Sequence, residues 1–228
     1  MDEKYNSVTR RSKKRAPKRY GRDYKKQKMY ISRGFRAPVP YKLTTAMLYQ
    51  ERVTLTPAAG VAAVHVFSAN GTYDPNITGV GHQPRGFDQM MALYDHNVVI
   101  GAEIRVDYPG VGVGGTINPT IAFIGVRDFT TVGITERDYL ELGNCVWETT
   151  SPAQGYKTSL RMKLNPNKFL GRTSPLSDPD LKNSIIGNPT EQCYFHVGLG
   201  YASGLDPTAL PVNVVIKYTV VFLEPKDP

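Results

Sequence analysis

Between residues 43 and 223 the chain repeats one pattern, short runs in which every second residue is apolar, each closed by Gly, Pro, Asn or Asp. A period of two sets alternate side chains on opposite faces of an extended strand, whereas a helix needs about 3.6, so the pattern restricts this region to β-sheet. Residues 43–55 place Met47, Tyr49, Val53 and Leu55 on one face, and Pro57 ends the run. Residues 61–68 set Val64 and Val66 opposite His65, with the turn signal Asn70-Gly71 following. In residues 98–108, Val98, Ile100, Ala102, Ile104, Val106 and Tyr108 face one way and Glu103, Arg105 and Asp107 the other. Residues 120–127 and 144–149 read as two more strands. Residues 156–164 carry Tyr156, Thr158, Leu160, Met162 and Leu164 on one face and Lys157, Ser159, Arg161 and Lys163 on the other, a basic stripe that either is solvated or touches nucleic acid. Residues 193–202 and 212–223 complete the set.

The main exception is Phe87, Met90, Met91 and Tyr94, whose spacing predicts a short helix over 87–94, with Asp88 complementing its N-terminus. The Pro-, Asp- and Asn-rich residues 166–189 predict a long connection with one helical turn at 167–170, of a length suited to contact with a neighbouring copy. Eight antiparallel strands close most economically as a jelly roll. The expected fold is therefore all-β, a single eight-stranded jelly roll of two four-stranded sheets, with a short helix after the second strand.

Charge divides the chain differently. Residues 1–36 hold 14 Lys/Arg and three acids, a net of +11; subtraction from the totals of 28 and 20 leaves 14 and 17 for residues 37–228, a net of −3. An arm this charged, with few aliphatic side chains, is expected to be disordered until it meets a polyanion. Its candidate nucleic-acid contacts are Arg10, Arg11, Lys13, Lys14, Arg15, Lys18, Arg19, Arg22, Lys25, Lys26, Lys28, Arg33 and Arg36, which would neutralise phosphates, and Tyr20, Tyr24 and Tyr30, which would stack on bases. Residues 10–19 also read as a nuclear-localisation signal. Two units follow, an arm at 1–36 and a body at 37–228.

Chemistry has little support. His65, His82, His96 and His196 stand at no metal-type spacing from one another or from Cys145 and Cys193, so no metal and no cofactor are expected. The separated cysteines, with no apolar signal segment before the body, predict a reduced intracellular protein. No G-x-S-x-G elbow occurs, Asp88, Asp95 and His96 read as turn and surface residues, and no catalytic residue is assigned. Glu136, Asp138 and Glu141 form an acidic loop that could answer a basic patch on another copy. Gly110-Val111-Gly112-Val113-Gly114-Gly115 satisfies G-x-G-x-x-G, but a β run follows where a nucleotide site needs a helix, so an inter-strand loop is the better reading. The uncharged run 108–126 contains five glycines and two prolines, a poor membrane span. Asn70-Gly71-Thr72 and Asn76-Ile77-Thr78 match glycosylation sequons and read as turn residues.

The stretch His82-Gln83-Pro84-Arg85-Gly86-Phe87-Asp88-Gln89-Met90-Met91-Ala92-Leu93-Tyr94-Asp95-His96, with the strand after it, resembles capsid proteins of circular Rep-encoding single-stranded DNA viruses, the circovirus-like group. Gly187-Asn188-Pro189-Thr190-Glu191-Gln192-Cys193-Tyr194-Phe195-His196 is similar to the approach to the penultimate strand in such proteins. The resemblance spans most of residues 41–225; the arm matches in character but mixes Lys with Arg, which points to a relative outside the circoviruses proper.

It implies a minimal T=1 icosahedral shell, a homo-60-mer, with the arm inside on packaged single-stranded DNA. It also implies location in the virion, and in the host nucleus during assembly by way of the import machinery. A cell-surface receptor is a further implied partner, without membrane insertion. About 60 arms would supply roughly 660 positive charges, a large share of a genome on the order of one to two kilobases. By the same analogy Gly110, Gly112, Gly114 and Gly115, between the fourth and fifth strands in the family's count, should sit near a fivefold pore. Two other readings stand beside this one. The chain could be the coat protein of a small, satellite-like single-stranded RNA virus, or a nucleic-acid-binding jelly roll that never assembles.

Overall fold

The computed structural model of the chain describes residues 39–58, 60–109, 120–150, 157–201 and 209–226. Within them lie the strands β1 (Lys42–Leu55), β2 (Ala63–Ser68), β3 (Tyr94–Pro109), β4 (Thr120–Arg127), β5 (Cys145–Thr150), β6 (Lys157–Leu164), β7 (Tyr194–Tyr201) and β8 (Leu210–Pro225). They pair antiparallel into two four-stranded sheets, ordered β1-β8-β3-β6 and β2-β7-β4-β5. This interleaving of early and late strands is a jelly roll, as the alternation predicts. The core fills the space between the sheets with Met47, Tyr49, Val53 and Leu55 of β1, Phe195, Val197 and Leu199 of β7, and the even-numbered residues Val212 to Phe222 of β8.

The longest strand departs from its pattern. The register of β3 on β8 shifts between Val99 and Gly101, which pair with Val220 and Thr219, so Ile100 is an extra residue in the ladder. Such a bulge swaps the faces on either side of it. Ala102, Ile104, Val106 and Tyr108 point into the core as expected, but before the bulge it is Val99 that does so. Val98 and Ile100 instead pack on the outside of the sheet with Leu181, Val221 and Leu223.

The helix α1 (Phe87–Met91) is shorter than the expected 87–94. It buries Phe87 and Met91, and Gly86 at its N-cap holds φ 90, a left-handed conformation that favours glycine. Tyr94 belongs to β3, where it pairs with Pro225 and its hydroxyl donates to Pro40 O at 2.8 Å. Strand pairing has overridden a helical spacing too short to hold on its own. The predicted turn at 167–170 is α3 (Pro166–Phe169), capped by Asn165, whose side chain accepts from the Lys168 N–H at 3.0 Å.

The connection after α3 folds back onto its own chain. Asn183 is fully buried; its amide accepts from Thr72 N–H at 2.9 Å and donates to Asn70 O at 3.0 Å. Asn70 in turn donates to Glu191 O at 2.8 Å and accepts from Cys193 N–H at 3.0 Å, and Asn188 accepts from the N–H groups of Tyr73 and Asp74. These amides satisfy backbone groups that neither sheet can reach. Asn70-Gly71 therefore braces two long connections and closes no hairpin. At 2 % and 1 % exposure, Asn70 and Asn76 are buried, in line with reading the sequons as turn residues.

Candidate functional surfaces

All the nucleic-acid candidates, Arg10 to Arg36 with Tyr20, Tyr24 and Tyr30, lie outside the described residues, as do Gly110, Gly112, Gly114 and Gly115. What the described residues present instead is two outer sheet faces, built on different principles.

On the β2-β7-β4-β5 sheet the outward row Val64, Gly198, Phe123, Trp147 runs straight across the four strands, and the next row is Val66, His196, Gly125, Cys145. The glycines leave hollows. A Cβ on Gly198 would stand 2.0 Å from the Phe123 ring, and one on Gly125 2.8 Å from the ring of Tyr139. Residues 128–144, including α2 (Arg137–Leu140), lie over this face, and Tyr139 descends into it, buried beside Phe123 and Ala62.

A small polar circuit fixes the plug. Phe129 O can only accept, so His196 Nε2, 2.9 Å away, carries the proton. Nδ1 then accepts from the Tyr139 hydroxyl at 3.1 Å, and that hydroxyl accepts from Gly133 N–H at 2.8 Å. Burial, with the nearby Arg127 charge adding to it, holds the His196 pKa down to about 4, so the ring is neutral near pH 7. The Arg127 guanidinium sits 4.3 Å from the centroid of the Tyr139 ring and donates to Asp138 O.

The expected acidic loop is this same segment, and its carboxylates have local tasks. Asp138 accepts from Thr135 N–H at 2.9 Å, Glu141 pairs with Arg137 at 3.8 Å, and Glu136 lies against Gly200. Around the plug Phe129, Val132, Ile134, Leu142 and Trp147 remain exposed.

The outer face of the β1-β8-β3-β6 sheet has two halves. Beyond the bulge Val98, Ile100, Val221 and Leu223 are covered by Leu176 and Leu181, the latter in a 3-10 turn at Pro179–Leu181. The other half is crossed by the rows Arg52, Asn213, Asp107, Ser159; Gln50, Val215, Arg105, Arg161; and Leu48, Lys217, Glu103, Lys163. With Lys157 at the end of β6, it carries six Lys/Arg (Arg52, Arg105, Lys157, Arg161, Lys163, Lys217) against Glu103 and Asp107, a net of +4. Arg105 is held by Asp107 at 2.9 Å and Lys163 leans on Glu103 at 3.7 Å.

His96 meets Glu224 at 3.5 Å, not Asp88, and Glu224 also accepts from Lys182 at 2.9 Å; that lysine holds its carboxyl below the usual range. His65 bonds Asn76 at 2.9 Å. Burial pushes the free thiols up, Cys145 to about 11 and Cys193 to about 12, so neither is a ready nucleophile. Among the described residues no three His, Cys, Asp or Glu side chains converge as for a metal ion, and no helix is long and apolar enough to cross a membrane.

No protein-family model matches the chain, and no curated protein matches it. Solved structures similar to it include Mud crab tombus-like virus (TM-score 0.47, 13 % identity, 83 % of this chain and 93 % of that one). They also include a decameric BFDV capsid protein (0.45, 11 %, 79 % and 99 %) and Desmodium yellow mottle tymovirus (0.43, 12 %, 83 % and 92 %).

Proposed function

We propose that the chain is the coat subunit of a small virus, that it closes into a T=1 shell of 60 copies, and that residues 1–36 package single-stranded DNA inside it. The observation that carries this reading is the segregation of charge: the arm holds a net of +11 while residues 37–228 hold −3. A body that buries its own core between two sheets is expected to fold without the arm. The arm's positive charges match a polyanion with one charge per nucleotide, and phosphate contacts of this kind are blind to sequence. The choice of DNA rests on the sequence resemblance around residues 82–96.

In this reading the body supplies the wall and the arm the packaging end, with residues 10–19 doubling as a nuclear-import signal and Gly110–Gly115 lining the fivefold pore. The mechanism is assembly without bond chemistry. Neutralising the strand removes the repulsion that would otherwise oppose packing it in a closed volume, and the body supplies the subunit contacts. Electron microscopy of the purified protein, with nuclease typing of protected nucleic acid, tests it. Uniform small spheres holding DNase-sensitive material are expected; RNase-sensitive contents would replace DNA by RNA, and absence of particles would remove the shell. Deleting residues 1–36 should leave a folded body that no longer protects nucleic acid.

A further inference from the structure

We infer that the bare half of the β1-β8-β3-β6 outer face is a second nucleic-acid contact, a folded surface that holds the phosphates of a single strand independently of the arm. It takes its ligand class from the packaging reading above, but it stands on residues of the body.

The face is built against its own stability. Arg105 and Arg161 are direct cross-strand partners on one face, a like-charge pairing that sheets disfavour. Arg105 turns to Asp107, with Nε at 3.0 Å and Nη2 at 2.9 Å, which leaves Arg161 with no acidic partner among the described residues. Lys217, in the next row and two strands away on β8, stands between Leu48 and Glu103, also without an ion pair among the described residues. The connection that covers the neighbouring half stops short of these cations.

The occupant follows from charge and shape. Alternate residues on a strand lie about 6.6 Å apart, the scale of the step between phosphates on an extended nucleic-acid strand, so Arg161 and Lys163 can meet successive phosphates. No aromatic side chain occurs in the three rows, so the contact rests on phosphates, which carry no sequence. A second copy of the chain is the weaker occupant. Its acidic segment, residues 128–144, has Asp138 and Glu141 engaged locally and Glu136 packed against Gly200.

The test uses the full chain and a fluorescent oligothymidylate, with anisotropy followed across a salt series. Three chains are compared with wild type: Arg161→Ser/Lys163→Ser/Lys217→Ser on the face, Arg85→Ser/Arg137→Ser/Lys168→Ser at exposed cations elsewhere, and an arm variant with the Lys and Arg of residues 10–19 changed to Ser. Three lost phosphate contacts should flatten the slope of log K against log salt by about 2. The change should be equal on oligoadenylate, absent in the control triple, and unaccompanied by a shift in melting temperature. An unchanged slope in the face triple overturns the inference, and so does lost assembly with an unchanged slope, which would make the face a contact between copies. Residual binding by the arm variant that the face triple then abolishes supports the face even if packaging through the arm fails. Full binding by the arm variant refutes the arm and leaves the face result standing.

Discussion

The two outer faces of this sandwich solve the same problem in opposite ways. On the β2-β7-β4-β5 side, Phe123 lies over Gly198 and residues 128–144 set Tyr139 over Gly125, so the face becomes a second small core. On the β1-β8-β3-β6 side one half is roofed by Leu176 and Leu181 and the other half is left open by the described residues, with six cations over it. A covered face contributes to stability through burial, whereas an open charged face contributes little and is free to serve a partner. The division predicts where substitutions will hurt the fold and where they will be felt only in binding.

Removing the plug should cost most. Tyr139→Ala takes away a buried ring and the acceptor and donor that serve Gly133 and His196, and about 3–5 kcal/mol should be lost in urea unfolding. Acid should attack the same place. His196 drops from an ordinary 6.5 to about 4 on folding, so the unfolded chain binds the proton more readily; the stability from the neutral ring is complete above pH 6.5 and is lost as pH falls toward 4. A decline of about 3 kcal/mol over that window is expected, and a flat profile would show that the plug opens to admit the proton at little cost.

The roof is smaller, and Leu181→Ala should cost about 2 kcal/mol, read as a lower urea midpoint with the slope kept. The open half should respond least. Arg161→Ser should change stability by less than about 0.5 kcal/mol, and any change should be a gain, because a like-charged pair is relieved. A loss as large as that of Leu181→Ala would erase the distinction between the faces.

Much of this was legible in the residues. Alternation gave the eight strands, because a period of two survives wherever one face is buried, and the two sheets follow from that count. What escaped reading depended on events across strands. The extra residue Ile100 is apolar like its neighbours, so nothing in the run from Val98 to Tyr108 marks the face swap, which only the register on β8 reveals. The hollow under Tyr139 is left by Gly125, and the Phe123 ring that Tyr139 packs on lies over Gly198; the two glycines, distant in sequence, reach adjacent rows only through strand pairing, and residues 135–143 therefore read only as acidic. The outward cations of β6 were visible; that they join Arg105, Lys217 and Arg52 required the strand order β1-β8-β3-β6.

The amide brace around Asn70 bears on chemical ageing. An asparagine followed by glycine is the dipeptide that most readily cyclises and deamidates, and the reaction needs the glycine nitrogen to swing onto the asparagine side chain. Here the Gly71 N–H is tied to Ser68 Oγ at 2.8 Å, while both amide atoms of Asn70 are engaged with Glu191 and Cys193. The bond that should wear out first is thus held in an unreactive pose, and its lifetime is set by how often that end of the sandwich opens.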